Sequence, residues 1–150
     1  MSFIRSLKLN LWGDFMRLWH YKLIPYLPKS QLLAQWRELN SIYKKQDKHI
    51  LINYVYEYDK IDLHEYSLMV MAEMRYRHVN FKLDNFFAYF RSVMCCKGRG
   101  LYQPFQRHHN TQYLIQCFYN LQEKYDRGQK DFSCAEYEKL ENFIKGELKI

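Results

Sequence analysis

The sequence predicts an all-α protein, a compact single domain of four to five helices. Three observations lead there. Apolar and aromatic residues recur at three- and four-residue spacing in successive segments, as one buried helix face requires. Ser, Asp and Gly stand where helix ends use them. The one β-branched and aromatic run, Ile50 to Tyr58, has no convincing second run to pair with, and a lone strand is not stable. With 150 residues, 48% of them apolar and 26% charged, the chain can bury one sizeable core and is too apolar to be disordered.

Trp19 to Leu27 is apolar and aromatic, but Pro25 and Pro28 interrupt it, so it reads as extended or irregular. A helix is expected from Ser30, as N-cap, to about Gln46, with Leu32, Trp36, Leu39 and Tyr43 on its stripe. Arg37 and Glu38 are adjacent and cannot both lie on that stripe, so their charges are expected at its edge or in solvent. Ile50 to Tyr58 is read as a buried extended piece or a short helix. Asp62 to His78 is a helix with Asp62 and Glu65 at capping-box spacing and Leu63, Tyr66, Val70 and Met74 on one face.

Asp84 to Cys95 gives a further helix, carrying Phe86, Phe87, Phe90, Val93 and Met94. Lys97 to Arg107 holds two glycines and a proline and is a basic loop. The next helix runs from Asn110 to Arg127, with Gly128 as its C-cap. The last spans Ser133 to Leu148, and Ser133 and Glu136 again have capping-box spacing. No internal repeat, low-complexity tract or second domain boundary is visible.

Lys and Arg outnumber Asp and Glu 23 to 16, a net charge of +7. Such a surface concentrates polyanions, nucleic acid first and anionic membrane second. No run of about 18 apolar residues exists to span a bilayer. The fourteen tyrosines and ten phenylalanines serve packing first and base stacking second. Cys95, Cys96, Cys117 and Cys134 lack C-x-x-C spacing, and no secretory leader precedes them, so reduced thiols in a cytoplasmic protein are expected. The histidines lack the i, i+4 pairing of a zinc helix, and no Walker loop, dinucleotide fingerprint or G-x-S-x-G elbow is present. Neither a metal nor an organic cofactor is expected.

The first fifteen residues have a different reading. Trp12-Gly13-Asp14-Phe15 is encoded TGG-GGN-GAY-TTY directly before the ATG of Met16. With a GGA glycine codon this spells GGGGAG just ahead of a start codon, the pattern of a bacterial ribosome-binding site. Residues 1–15 are therefore expected to be a non-native or disordered extension, and residues 16–150 the helical domain.

The segment beginning at Met16, MRLWHYKLIPYLPKSQLLAQWREL, resembles the start of the pyrimidine-dimer DNA glycosylase family, that of phage endonuclease V and short bacterial relatives. INYVYEYDKIDLHEYSLMVMAEMRYRHVNF is similar to the family's next block, and a weaker likeness persists around Tyr113 to Gln122. The tail from Gly128 has no counterpart. The resemblance implies a repair enzyme on double-stranded DNA, monomeric and without a cofactor, that excises damaged pyrimidines and then cleaves the strand as an AP lyase. Its nucleophile would be an N-terminal α-amine, here that of Met16. Such an amine has a pKa of about 7.7 to 8.0, so part of it is neutral near physiological pH. Glu38 matches the catalytic glutamate, Arg37 the neighbouring phosphate-binding arginine, and Arg17 the arginine behind the N-terminus; Lys44 and Lys45 extend the basic surface. Two departures stand out. Met16-Arg17 replaces a terminal threonine, and Trp36 replaces a histidine. A non-catalytic nucleic-acid-binding module that keeps the fold is the alternative, and a helical protein-interaction domain the third reading.

Overall fold

Pro28 starts the first long helix. Its φ of −61° and ψ of 155° hold it extended while its carbonyl accepts the first helical bonds, from the Gln31 and Leu32 amides at 3.0 Å. The computed structural model, which describes residues 17–92 and 103–150, then gives five α-helices. These are α1 (Lys29–Lys45), α2 (Lys60–Tyr76), α3 (Asp84–Tyr89), α4 (Thr111–Asp126) and α5 (Cys134–Leu148). Two 3₁₀ helices, Tyr21–Tyr26 and Asn53–Glu57, fill the gaps before α1 and α2. No strand occurs among the described residues, and the all-α expectation holds. No helix among them is long and apolar enough to cross a membrane.

Each stripe finds its place in one core. Leu32, Leu39 and Ile42 of α1, Leu63, Val70 and Met74 of α2, Leu114 and Leu121 of α4, and Leu140 of α5 are all within it. α1 packs on α2 and α3, while the Tyr21–Tyr26 turn touches α2, α4 and α5. This short turn is therefore the hub on which three long helices meet. Ile50 to Tyr58 contains the short-helix option, its 3₁₀ turn burying Val55. Trp19 to Leu27 is more regular than its prolines suggested. A 3₁₀ turn tolerates Pro25 because a run this short asks for few amide donors.

Two expected caps and one helix end fall differently. Ser30 lies inside α1, and its amide and hydroxyl both donate to Asp131 from the start of the α5 arm, at 2.7 and 3.1 Å. Asp131 thus caps α1 from a distance of one hundred residues along the chain. Asp62 does not cap α2, whose N-cap is Asp59; its carboxylate turns inward to accept the Phe105 amide at 2.8 Å. The third helix ends at Tyr89 rather than Cys95, and Val93 to Cys96 lie outside the described residues, as do residues 97–102 of the basic loop. The Ser133 cap and its partner Glu136 are as expected, and Gly128 takes the left-handed φ of 82° past the end of α4.

Asp131 offers a direct test of this packing. Burial pushes its carboxyl up, but hydrogen bonds from Gln129 and Ser30 outweigh that and hold it below its ordinary value. Asp131→Ala should destabilise the protein by about 1 kcal/mol, the usual worth of a charged helix cap. Urea unfolding at neutral pH would show it, and an unmoved midpoint would deny the cap any role.

Candidate active site around Glu38 and the chain from Arg17

Leu18 to His20 is buried, lies in no helix and pairs with no strand, between half-buried Arg17 and Tyr21. Side chains from other elements satisfy its backbone instead. The Arg17 carbonyl accepts from Gln35 Nε2 at 3.1 Å. The Trp19 amide donates to Gln35 Oε1 at 2.8 Å, and the Trp19 carbonyl accepts from the Tyr66 hydroxyl at 2.6 Å. The Leu18 carbonyl accepts from the Tyr113 hydroxyl at 2.5 Å. The Tyr21 amide donates to His109 Nδ1 at 3.2 Å. Buried backbone groups must find partners, and here α1, α2, α4 and the loop before α4 supply them.

Two neutral histidines complete this clasp. His109 Nδ1 accepts from an amide, so its proton sits on Nε2, 2.7 Å from the Tyr54 hydroxyl. His20 Nδ1 likewise accepts from the Lys22 amide, and its Nε2–H donates to the His109 carbonyl at 2.9 Å. A second proton on either ring would point at an N–H already there. Burial agrees, drawing His20 down to about 4 against the favourable His109 carbonyl, and His109 down to about 2 with help from the two histidines beside it. Phe105, fully buried at a left-handed φ of 56°, turns the chain so that His109 can face inward.

Glu38 is where the structure departs most from expectation. It is buried, with 7% of its surface exposed, while Arg37 beside it is exposed. Carboxylate oxygen Oε1 has no hydrogen-bond partner among the described residues. Burial, with a smaller push from Asp47, raises its pKa from 4.5 to about 7. The charge pattern missed this because it treated Arg37 and Glu38 alike. A better signal was in the sequence: Gln31, Gln35 and Glu38 stand at i, i+4 and i+7, one polar ridge on a buried face. Glu38 thus lies one turn beyond Gln35, about 4.5 Å along the helix. Helix α1 carries both the carboxylate and the amide group that holds the Arg17 carbonyl.

The basic residues divide. Arg37 and Lys44 are seven residues apart, two turns, and so share one exposed face of α1 about 10 Å long, which Lys45 borders. Arg17 is only half-exposed, its guanidinium 5.9 Å from the centre of the Tyr113 ring. Met16 lies outside the described residues. Trp36, where relatives carry histidine, is buried and packs edge-on against Phe81 and Tyr43 at 5.3 and 6.1 Å, which makes the replacement one of packing. The Cys117 thiol is buried beside Tyr113, and burial raises its pKa. Among the described residues, no three His, Cys, Asp or Glu side chains gather in a way that could hold a metal ion.

Sequence reasoning did not reach Gln35, Tyr54, Tyr66 or His109. Tyr66 read as an ordinary stripe residue and Tyr54 as part of an aromatic run, and nothing local in the chain tells which hydroxyl will meet the Trp19 carbonyl or the His109 ring, each more than forty residues away.

Residues 16–86 match the family model of pyrimidine dimer DNA glycosylase. No curated protein and no solved structure matches the chain. The matched segment contains Arg17, Gln35, Arg37, Glu38, Tyr54 and Tyr66, whereas His109, Tyr113 and the capping Asp131 lie beyond it. The activity the family is described by is that of a DNA glycosylase. Over residues 16–86, just under half of its length, this chain is similar to the pyrimidine dimer DNA glycosylase family.

Proposed function

We propose that the protein is a DNA glycosylase with associated AP lyase activity on damaged pyrimidines in double-stranded DNA, acting in the cytoplasm as a monomer through the α-amine of Met16. The observation that carries this reading is the buried Glu38 carboxylate, with one oxygen that has no partner among the described residues, one helical turn from the side chain that holds Arg17. In this reading the neutral amine attacks sugar C1′ and the bond from C1′ to the base breaks, the base leaving with its electron pair and taking up a proton. The amine nitrogen loses its protons as the ring oxygen departs, giving an imine and an open-chain sugar. Loss of a C2′ proton then expels the 3′ phosphate by β-elimination. A carboxyl with a pKa near 7 is populated in both forms at neutral pH, so Glu38 can give a proton to the ring oxygen and accept the C2′ proton. Arg37, Lys44 and Lys45 line the exposed side of the same helix and would meet the phosphates while the damaged nucleotide is extruded.

The test is borohydride trapping on ultraviolet-irradiated duplex DNA, with protein begun at Met16 and at Met1 in parallel. A covalent adduct mapped to the Met16 amine, formed only by the shorter form, is the expected result. A folded, DNA-binding short form that gives no adduct would favour a binding module without chemistry. Arg37→Ala should weaken binding on all sequences alike and flatten the plot of log affinity against log salt by about one unit. An unaltered slope would place Arg37 away from phosphate.

A further inference from the structure

A chain segment with no strand partner could be held loosely by water at modest cost. Here each backbone group from the Arg17 carbonyl to the Trp19 carbonyl that has a bond receives it from a protein side chain. Gln35 is the centre of that arrangement. Its amide nitrogen donates to the Arg17 carbonyl at 3.1 Å, and its oxygen accepts the Trp19 amide at 2.8 Å and lies 2.9 Å from the Tyr66 hydroxyl, whose single proton it shares with the nearer Trp19 carbonyl. The side chain is buried and all these roles are directional. A hydrophobic residue of the same size would fill the space equally well, and the three roles would be lost.

We infer that Gln35 is a positioning residue for the reaction: with the Tyr113 hydroxyl as second point of attachment, it fixes the backbone that leads back to residue 16 against the Glu38 carboxylate. This inference rests on the reading that the Met16 amine is the nucleophile. The geometry gives it a physical basis. Gln35 and Glu38 are three residues apart on one helix, so their separation is set by helix geometry and does not vary as loops move. Tyr113 bonds the next carbonyl, that of Leu18, from a second helix, one outside the matched segment. Attachment at two successive carbonyls from two helices fixes both the height and the direction of the chain. A reaction between two groups is sensitive to that, since a misplacement of about 1 Å can lower a rate about a hundredfold.

The test uses the protein made from its own gene with its own upstream sequence, so that translation selects its natural start. Three quantities are read for the parent, for Gln35→Leu and for Tyr113→Phe: borohydride-trapping rate on irradiated duplex, affinity for the same duplex, and the titration midpoint of the Glu38 carboxyl by carbon NMR. Tyr113→Phe removes one hydroxyl from a near-identical shape, and it keeps the question answerable if Gln35→Leu does not fold. Expected are trapping rates lower by about a hundredfold and about tenfold respectively, affinity within about twofold of the parent, and a Glu38 midpoint displaced in each folded variant. Parental trapping rates in the folded variants would overturn the inference. Should the parent itself trap nothing, the reading of the nucleophile fails, and the Glu38 midpoint alone decides. A displaced midpoint upholds the positioning of this segment against Glu38, and an unmoved one overturns it.

Discussion

Glu38→Gln should lower base excision and imine trapping by about 10² to 10⁴-fold, the range ascribed to a positioned acid–base group, while DNA affinity stays nearly unchanged. Glutamine keeps the shape, so the Arg37 and Lys44 face of α1 is undisturbed; what disappears is the exchangeable proton. The same variant carries a signature in stability. Glu38 binds its proton more tightly in the folded protein than in the unfolded chain, so it favours the fold below pH 4.5 and loses that contribution as pH rises through about 7. The uncharged glutamine is free of this loss. Between pH 4.5 and pH 8 the variant should therefore gain roughly 2 kcal/mol relative to the parent, a partial share of the shift at 1.36 kcal/mol per unit, since the group retains some solvent. Urea unfolding of both proteins at the two pH values measures it. Unchanged turnover would remove Glu38 from the mechanism, and a pH-independent difference would mean that its carboxyl is solvated.

Acid should unfold the protein through its two clasp histidines. Both are neutral in the fold, held to about 4 and about 2, whereas in the unfolded chain they take up protons below about 6.5. The unfolded state then binds more protons, so stability is present above that value and falls as pH drops from about 6.5 toward 4. At pH 5 each histidine should cost roughly 2 kcal/mol, so the pair removes roughly 4 kcal/mol relative to pH 7.5. The Glu38 proton acts in the opposite direction over an overlapping range, and the groups nearest His20, Lys22 and Glu147, oppose each other. The clean measurement is thus the urea midpoint of Glu38→Gln between pH 7.5 and 5. A loss of only half that size would show that one of these rings can be charged within the fold, and a flat midpoint that both can.

The helices themselves were legible. Their stripes are local patterns, and Leu32, Leu39, Leu63, Val70, Leu114 and Leu140 all enter the core that those patterns imply. Caps were legible only where both partners lie within one turn. Ser133 and Glu136 meet as their spacing suggests, but Ser30 and Asp62 spend their capacity on Asp131 and Phe105, because a charged or directional partner brought in from afar outcompetes a weak local one.

By itself, the sequence determined the helical class, the core stripes, the family likeness of the segment from residue 16, and the presence of Arg37 and Glu38 on one helix. Only the tertiary structure decided that the two part company. Adjacent helical positions point about 100° apart, and which of them is buried depends on what packs over the helix. Here that choice puts Arg37 outside and leaves Glu38 inside with a raised pKa. The clasp on Arg17 to Tyr21 belongs to tertiary structure for the same reason. Gln35, Tyr66, His109 and Tyr113 converge from separate elements on backbone groups, and backbone groups are the same in every sequence.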